Sequence, residues 1–374
     1  MSSYSTSSDA YFTMLFMVTI VSLGQLVCAA PTAAVKYDQA SLGNVRTTGN
    51  LNPYPDKPRI TFRPDGTFKI TVFSDLHFGE GPDTIWGPEQ DSNSTRLMRK
   101  VLPEEKPDFA VINGDLITGE NTFRENSTTL VDRINHDNQV NITHLEEIIR
   151  ERQVSSFSYT RCAPPGVGGE GGPGNYWVPV YANEEGQHPV LILWFFDSRG
   201  GFSPGKNSTA VPDWVDSSVA EWIESETASM EDEWGPAESR GALAFVHIPP
   251  HVVQSLQSTL NHTSNPGLNA DTLGQGSTQA TTQDSDTGKD GPFWNALNKY
   301  IKNLHAVISG HDHGNEWCSR ETAQNVIFCF DKHSGYRCMP DQSFGELIML
   351  QIWWLRRILV GLWYSQSGIH VNDS

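Results

Sequence analysis

Basic side chains are scarce in this chain: 26 Lys and Arg stand against 44 Asp and Glu in 374 residues, a formal net charge of −18 at pH 7. A surface so poor in cations does not collect polyanions through its overall field, which excludes nucleic acid and anionic membrane as non-specific partners. Charged residues of both signs amount to only 19%, and together with 32 Gly and 22 Pro this rules out a coiled coil or collagen. No internal repeat is visible, and long apolar runs are confined to the two ends. What is present is a 37% hydrophobic fraction and 10% aromatic content, enough to bury the core of one large globular domain or two small ones.

Residues 11–30, YFTMLFMVTIVSLGQLVCAA, form an apolar stretch ending in small residues before Pro31. They read as the body of a secretory signal peptide over 1–30, cleaved near Ala29 or Ala30, although the preceding residues lack Lys and Arg; the alternative is a retained anchor. Cysteine is also rare. Loss of Cys28 with the leader leaves Cys162, Cys318, Cys329 and Cys338, an even number suited to an oxidising compartment. Six glycosylation acceptor triplets, at Asn93, Asn126, Asn141, Asn207, Asn261 and Asn372, point the same way, to a secreted or vacuolar protein. The other apolar run, residues 346–364, carries Arg356 and Arg357 at its middle, each costing about 2.5–3.5 kcal/mol in a bilayer. It is expected to be a buried strand or helix within a divergent tail, 341–374, and no stable membrane insertion is expected after leader cleavage.

Between these ends, residues 31–60 read as an extended lead-in and 61–340 as the main folded domain. Five short apolar runs end at Phe73, Ile112, Phe196, Val246 and Ile308; they are too short for ordinary helices and rich in Val, Ile and Phe, as buried strands are. Four of them lead within a few residues to Asp or His in a Gly- or Pro-containing loop: Asp75 and His77, Asp115, His247, then His311 and His313. Ligands of open α/β sheets bind beyond the carboxyl ends of strands, so these side chains are expected at one sheet edge. Helices are expected over 91–102 and 213–225, where Trp214, Val215, Val219, Trp222 and Ile223 recur at helical spacing. The Gly/Pro-rich stretch 163–175 is expected to be a loop, and the polar stretch 261–292 a flexible insertion.

A carboxylate and an imidazole two residues apart, as in Asp75-Leu76-His77, project to one side of an extended segment and can grip one divalent ion. Asp115 follows a strand and a Gly, where a carboxylate either bridges two ions or caps a helix. His311 and His313 are paired between Gly310 and Gly314, which allow close backbone approach. His247 sits at a strand end, whereas Pro249 and Pro250 break any helix that could pair it with His251, which is expected at the surface or behind the ligands. Asn135, His136 and Asp137 add a carboxamide oxygen and an imidazole with an acidic neighbour, the elements of a metal ligand and a proton donor.

In this order DLH, GD, NHD, H and GHDH resemble the calcineurin-like metallophosphoesterase superfamily. FSDLHFGE, WGPEQD, NGDLITGENTF, FVHIPPH, SGHDHGNEW and CFDKHSGY are similar to its fungal and plant branch related to purple acid phosphatases. The resemblance implies an α/β fold, a sandwich of two mixed β-sheets flanked by α-helices. It also implies two divalent metal ions: one held by Asp75, His77, Asp115 and His313, the other by Asp115, Asn135, His247 and His311. Water activated by the ions would attack the phosphorus of a phosphate ester while His136, steadied by Asp137, protonates the departing alkoxide.

Two departures from that pattern bear on activity. True purple acid phosphatases place a metal-binding Tyr three residues after the GD aspartate, where this chain has Thr118, leaving the pair open among iron, manganese and zinc. The family's GNHD appears here with Ile134 for Gly, and only the 19 residues Leu116 to Ile134 separate Asp115 from Asn135, fewer than a crossover helix and strand usually need. The alternative function is therefore a catalytically impaired secreted glycoprotein of the same fold. Cysteine connectivity is not fixed by sequence; a disulfide between Cys318 and Cys329, which flank a short segment beside the GHDH loop, would brace the ligand-bearing strand and leave Cys162 with Cys338. Of the remaining histidines, His333 in CFDKHSGY is the one expected nearest the site.

Overall fold

A computed structural model describes residues 51–117, 156–203, 209–269, 273–274, 276–280 and 288–335, and the backbone of 361–365 and 368–371. The leader, Thr118, Asn135, His136, Asp137, Cys338 and the shortened stretch before Asn135 lie outside the described residues.

All five apolar runs are strands: β2 (Thr67–Phe73), β3 (Phe109–Ile112), β5 (Pro189–Phe196), β6 (Gly241–Val246) and β7 (Leu304–Ser309). Around them lie β1 (Ile60–Thr61), β4 (Tyr176–Tyr181), β8 (Cys318–Glu321), β9 (Val326–Phe330), β10 (Gly361–Ser365) and β11 (Gly368–Val371). They form two sheets, in the orders β1-β4-β5-β6-β7-β9-β8 and β11-β10-β2-β3. Pairing is parallel through β5, β6, β7 and β9 and between β2 and β3, and antiparallel at β4, β8, β10 and β11, so both sheets are mixed.

Side-chain alternation along the strands explains the layering. On one face of the large sheet Val178, Val180, Leu191, Leu193, Phe195, Leu243, Phe245, Ala306 and Ile308 pack against Phe68, Ile70, Val72 and Val111 of the small sheet. On the other face Trp177, Ile192, Trp194, Phe196, Ala244, Val246 and Val307 lie under α2 (Ser218–Trp234) and α4 (Gly291–Tyr300). With both faces covered, the central strands are apolar at successive positions; each fully buried aliphatic or aromatic side chain contributes about 1.5–3 kcal/mol. Helix α1 (Trp86–Glu105) sets Leu97, Met98, Val101 and Leu102 on Phe73, Leu76 and Leu116, completing a sandwich with helices outside both sheets. No helix among the described residues is long and apolar enough to cross a membrane.

Several expectations shift. The helix expected over 213–225 starts only at Ser218, because Trp214 and Val215 are held ahead of it: the Trp214 carbonyl accepts from Arg199 Nε (2.8 Å) and Val215 N donates to Gln279 Oε1 (2.8 Å). The stretch 261–292 is partly anchored. Leu273, Thr278, Gln279 and Asp290 are buried, Gln279 Nε2 donates to the Ile248 carbonyl (2.7 Å), and α4 begins at Gly291. The lead-in ends in structure too, with Tyr54 buried and its hydroxyl donating to the Tyr159 carbonyl (2.7 Å). At the other end β10 pairs with β2, so part of the divergent tail is a strand of the small sheet. Cys318 and Cys329 face each other across β8 and β9 and are joined by a disulfide.

Candidate metal centre

The parallel strands of the large sheet deliver His247 after β6, and His311 and His313 after β7, to one edge; β2 and β3 deliver Asp75, His77 and Asp115 to the facing edge of the small sheet. The β2 and β3 loops continue side by side, with Asp75 N donating to the Gly114 carbonyl (3.2 Å) and His77 N to the Asp115 carbonyl (3.0 Å). The large sheet joins them where His311 N donates to Asp75 Oδ1 (3.2 Å), while within the large sheet's own edge Gly310 N donates to the His247 carbonyl (3.1 Å).

The convergence of Asp75 and His77 does not come from an extended segment, as the two-residue spacing suggested. Asp75 (φ 52°), His77 (φ 44°), Asp115 (φ 42°) and His311 (φ 72°) all have left-handed backbone. Such residues cost roughly 1–3 kcal/mol each and persist only where the surroundings hold them, which is why they gather at functional sites. Gly114 is forced as well: a Cβ there would overlap the His247 ring, and one at Gly310 would strike Ser74 Oγ and Asp75 Oδ2.

Two groups result, Asp75, His77, Asp115 and His313, and Asp115, His247 and His311, with ligand atoms within 4.8 Å of one another in each. Asp115 belongs to both. Its Oδ2 lies 3.1 Å from His247 Nε2 and 3.7 Å from His77 Nε2; Asp75 Oδ1 lies 3.3 Å from His313 Nε2 and 3.7 Å from His247 Nε2. His77 Nε2 and His313 Nε2 are 3.1 Å apart.

These residues fit a pair of metal ions. Ligands about 2.0–2.2 Å from one ion stand roughly 3.0–3.6 Å from each other, close to the spacing found here. Ring orientation agrees: His247 Nδ1 meets the Asn113 carbonyl (2.7 Å) and His311 Nε2 the Gly276 carbonyl (2.8 Å). A carbonyl only accepts, so those nitrogens carry the protons, and His247 Nε2 and His311 Nδ1 are the atoms that offer lone pairs.

The electrostatics match a site built for cations. Burial works against the Asp75 carboxylate, but His247 and His313 outweigh it and hold its pKa well below the ordinary range. Burial likewise opposes a charged His247, yet Asp115 and Asp75 raise it to about 9, so in the ion-free protein a proton partly stands in for metal charge.

Six expected ligands, Asp75, His77, Asp115, His247, His311 and His313, thus come together; Asn135, His136 and Asp137 fall outside the described residues. His251 is paired behind the strand end, its Nδ1 2.7 Å from the buried Asp290. Sequence reasoning missed Asn113, whose Nδ2 donates to Asp331 Oδ2 (2.8 Å) and the Ile308 carbonyl (3.3 Å), tying the two sheets together behind the ligands. It also missed Ser74, which donates to Asp75 Oδ2 (2.5 Å), and Asp331, whose pKa is pushed well up by burial and by Asp75. His333 does lie beside the site: its Nδ1 meets the His313 carbonyl (2.9 Å), and burial with the His313 charge lowers its pKa to about 4.

The calcineurin-like phosphoesterase family model matches residues 68–315, about two thirds of the chain and the whole span from Asp75 to His313. The chain belongs to the calcineurin-like phosphoesterase family. Among curated relatives, "Probable inactive purple acid phosphatase 28" of Arabidopsis thaliana is 28% identical over 323 residues, 76% of this chain and 75% of the relative. "Probable inactive purple acid phosphatase 29" of the same plant is 26% identical over 358 residues, 85% of this chain and 86% of the relative. Phosphatase DCR2 of Saccharomyces cerevisiae is 23% identical over 333 residues, 80% of this chain but 54% of that longer protein. Within the calcineurin-like phosphoesterase family the chain is thus similar to the branch containing purple acid phosphatase-like proteins.

Proposed function

We propose that the protein is a secreted phosphoesterase that hydrolyses phosphate esters with water activated by two divalent ions, iron, manganese or zinc. The observation that carries this reading is the pair of Asp/His groups sharing Asp115. On this reading Asp75, His77, Asp115 and His313 would hold one ion, and Asp115, His247, His311 and Asn135 would hold the other. Bound there, two ions supply Lewis acidity and a nucleophilic water near neutral pH, so no covalent enzyme intermediate is needed. The chain's own part is to fix the ligand atoms: the Asn113 and Gly276 carbonyls lock the His247 and His311 rings, and Asp115 joins the two groups. His136, steadied by Asp137, gives its proton to the departing alkoxide. The leader-like residues 1–30, the acceptor triplets and the Cys318–Cys329 disulfide support a secretory route.

A second reading, a folded glycoprotein without turnover, is favoured by two relatives whose names contain "inactive" and by the short tether before Asn135. Hydrolysis of an aryl phosphate by the purified chain, with manganese, zinc or iron added and with a chelated control, separates the two. Metal-dependent turnover is expected; a folded sample that releases no phosphate with any of these ions establishes the second reading.

A further inference from the structure

Asn261 follows α3 (Val252–Ser258) in a tight turn. Its Oδ1 accepts from the backbone N–H of Thr263 (3.1 Å) and of Ser264 (3.1 Å), and its main-chain carbonyl accepts from Asn265 N (2.8 Å). With one prong of the carboxamide turned inward to these donors, the other prong, Nδ2, is directed away from them. Asn261, His262, Thr263 and Ser264 are all exposed. Among the described residues neither Asn261 Nδ2 nor the Thr263 hydroxyl meets a partner. The acceptor triplet is therefore displayed with both its reactive groups open. The other fully described triplet, Asn93-Ser94-Thr95, is different: it lies inside α1, Ser94 is buried, and the Thr95 hydroxyl donates to the Asp91 carbonyl (2.8 Å).

We propose that Asn261 carries an N-linked oligosaccharide. The inference rests on the reading that the chain enters the secretory pathway. The donor is an oligosaccharide carried on a lipid diphosphate: Asn261 Nδ2 bonds to the anomeric carbon and loses a proton, while the bond from that carbon to the diphosphate oxygen breaks and the lipid diphosphate leaves with the electron pair. The turn is fixed to the segment after the GHDH loop, since Glu316 N donates to the Gly267 carbonyl (2.8 Å), Asn269 N to Asn315 Oδ1 (3.0 Å) and Asn315 Nδ2 to Asp312 Oδ1 (2.8 Å). The sugar would thus be rooted outside the segment that follows the two histidine ligands, without touching them.

The test is to produce the full chain in a eukaryotic secretory host, remove glycans with a peptide N-glycosidase in heavy-oxygen water, and map the peptides by mass. Heavy-oxygen aspartate at position 261 is expected. Asn261→Gln and Thr263→Ala should each remove one oligosaccharide from the intact mass. Thr263→Ser should retain it, and Thr263→Ala leaves the backbone N–H that holds the turn, so its loss reports recognition rather than misfolding. An unmodified Asn261 in a chain glycosylated elsewhere overturns this inference alone. A glycan-free chain that still carries residues 1–30 overturns the secretory reading and the inference with it.

Discussion

Gly114 stands at φ 91° directly behind the His247 ring, and a Cβ there would fall within the ring's own volume. Gly114→Ala should therefore destabilise the fold by more than the ~1–2 kcal/mol of left-handed strain alone, because the ring must also move. Thermal unfolding of the variant would show it, and metal analysis would show impaired retention where His247 contributes. Asp115 makes a sharper case, since one carboxylate serves both groups. Asp115→Asn should deplete both ions, whereas His311→Asn depletes one; elemental analysis after dialysis distinguishes the two. Aryl phosphate turnover by Asp115→Asn should fall more than ~100-fold, beyond the 10–100-fold typical of losing an outer hydrogen-bond partner. The candidate ligands were legible because each follows an apolar run within a few residues. Their supports were not: Asn113 meets Asp331 across a sequence separation of 218, and the partners that orient His247 and His311 are backbone carbonyls, which leave no mark on residue identity.

The start of α2 shows what an element needs beyond its apolar spacing. Asp216 Oδ1 accepts from Ser218 N (3.0 Å) and Ser218 Oγ (2.7 Å), and Oδ2 faces Arg199 Nη1 at 3.2 Å. Burial would raise the Asp216 pKa, but the Ser218 hydrogen bonds and Arg199 lower it below 3.8. A carboxyl lowered in the folded state stabilises the fold above its unfolded value, and the contribution fades as pH falls through the lower folded value. Asp216→Asn should therefore unfold at lower temperature than the unaltered chain at pH 7, with the gap closing below about pH 4; melting curves across pH would track it. Strands covered on both faces were the easiest elements to read, as continuous Val, Leu and Phe runs. Strand β4 escaped because Pro179 interrupts YWVPVY, whereas the apolar run ending at Tyr364 read equally as strand or helix and supplies β10 at its end. The polar composition around Gln279 hid its anchoring, which comes from the Gln279 side chain reaching both Val215 and Ile248, from Gln279 N donating to the Pro249 carbonyl (3.0 Å) and from the Gly276 carbonyl meeting His311 Nε2 (2.8 Å).

Over the whole molecule, stability rests on the contact between the two sheets and on closure of the far edge. The Cys318–Cys329 bridge joins the edge strand β8 to its neighbour β9 across 11 residues of sequence, and a loop of that size is worth about 2–3 kcal/mol. Reduction should lower the unfolding free energy by that amount, read from denaturant melts, and expose β8 amides to hydrogen exchange before those of β5 and β6. Chelation should act more broadly: at a hundredfold excess over its dissociation constant each ion contributes about 2.7 kcal/mol, so stripping both should lower the melting temperature by about 5–10 °C.

Every ligand group draws from both sheets: Asp75, His77 and Asp115 from the small one, His247, His311 and His313 from the large one. An ion seated there is a rivet through the sandwich as much as a reagent. Substitutions that weaken its grip should register as a loosened seam in a sample that has never met a substrate. A descendant that abandoned hydrolysis would still have mechanical cause to keep the rivet holes.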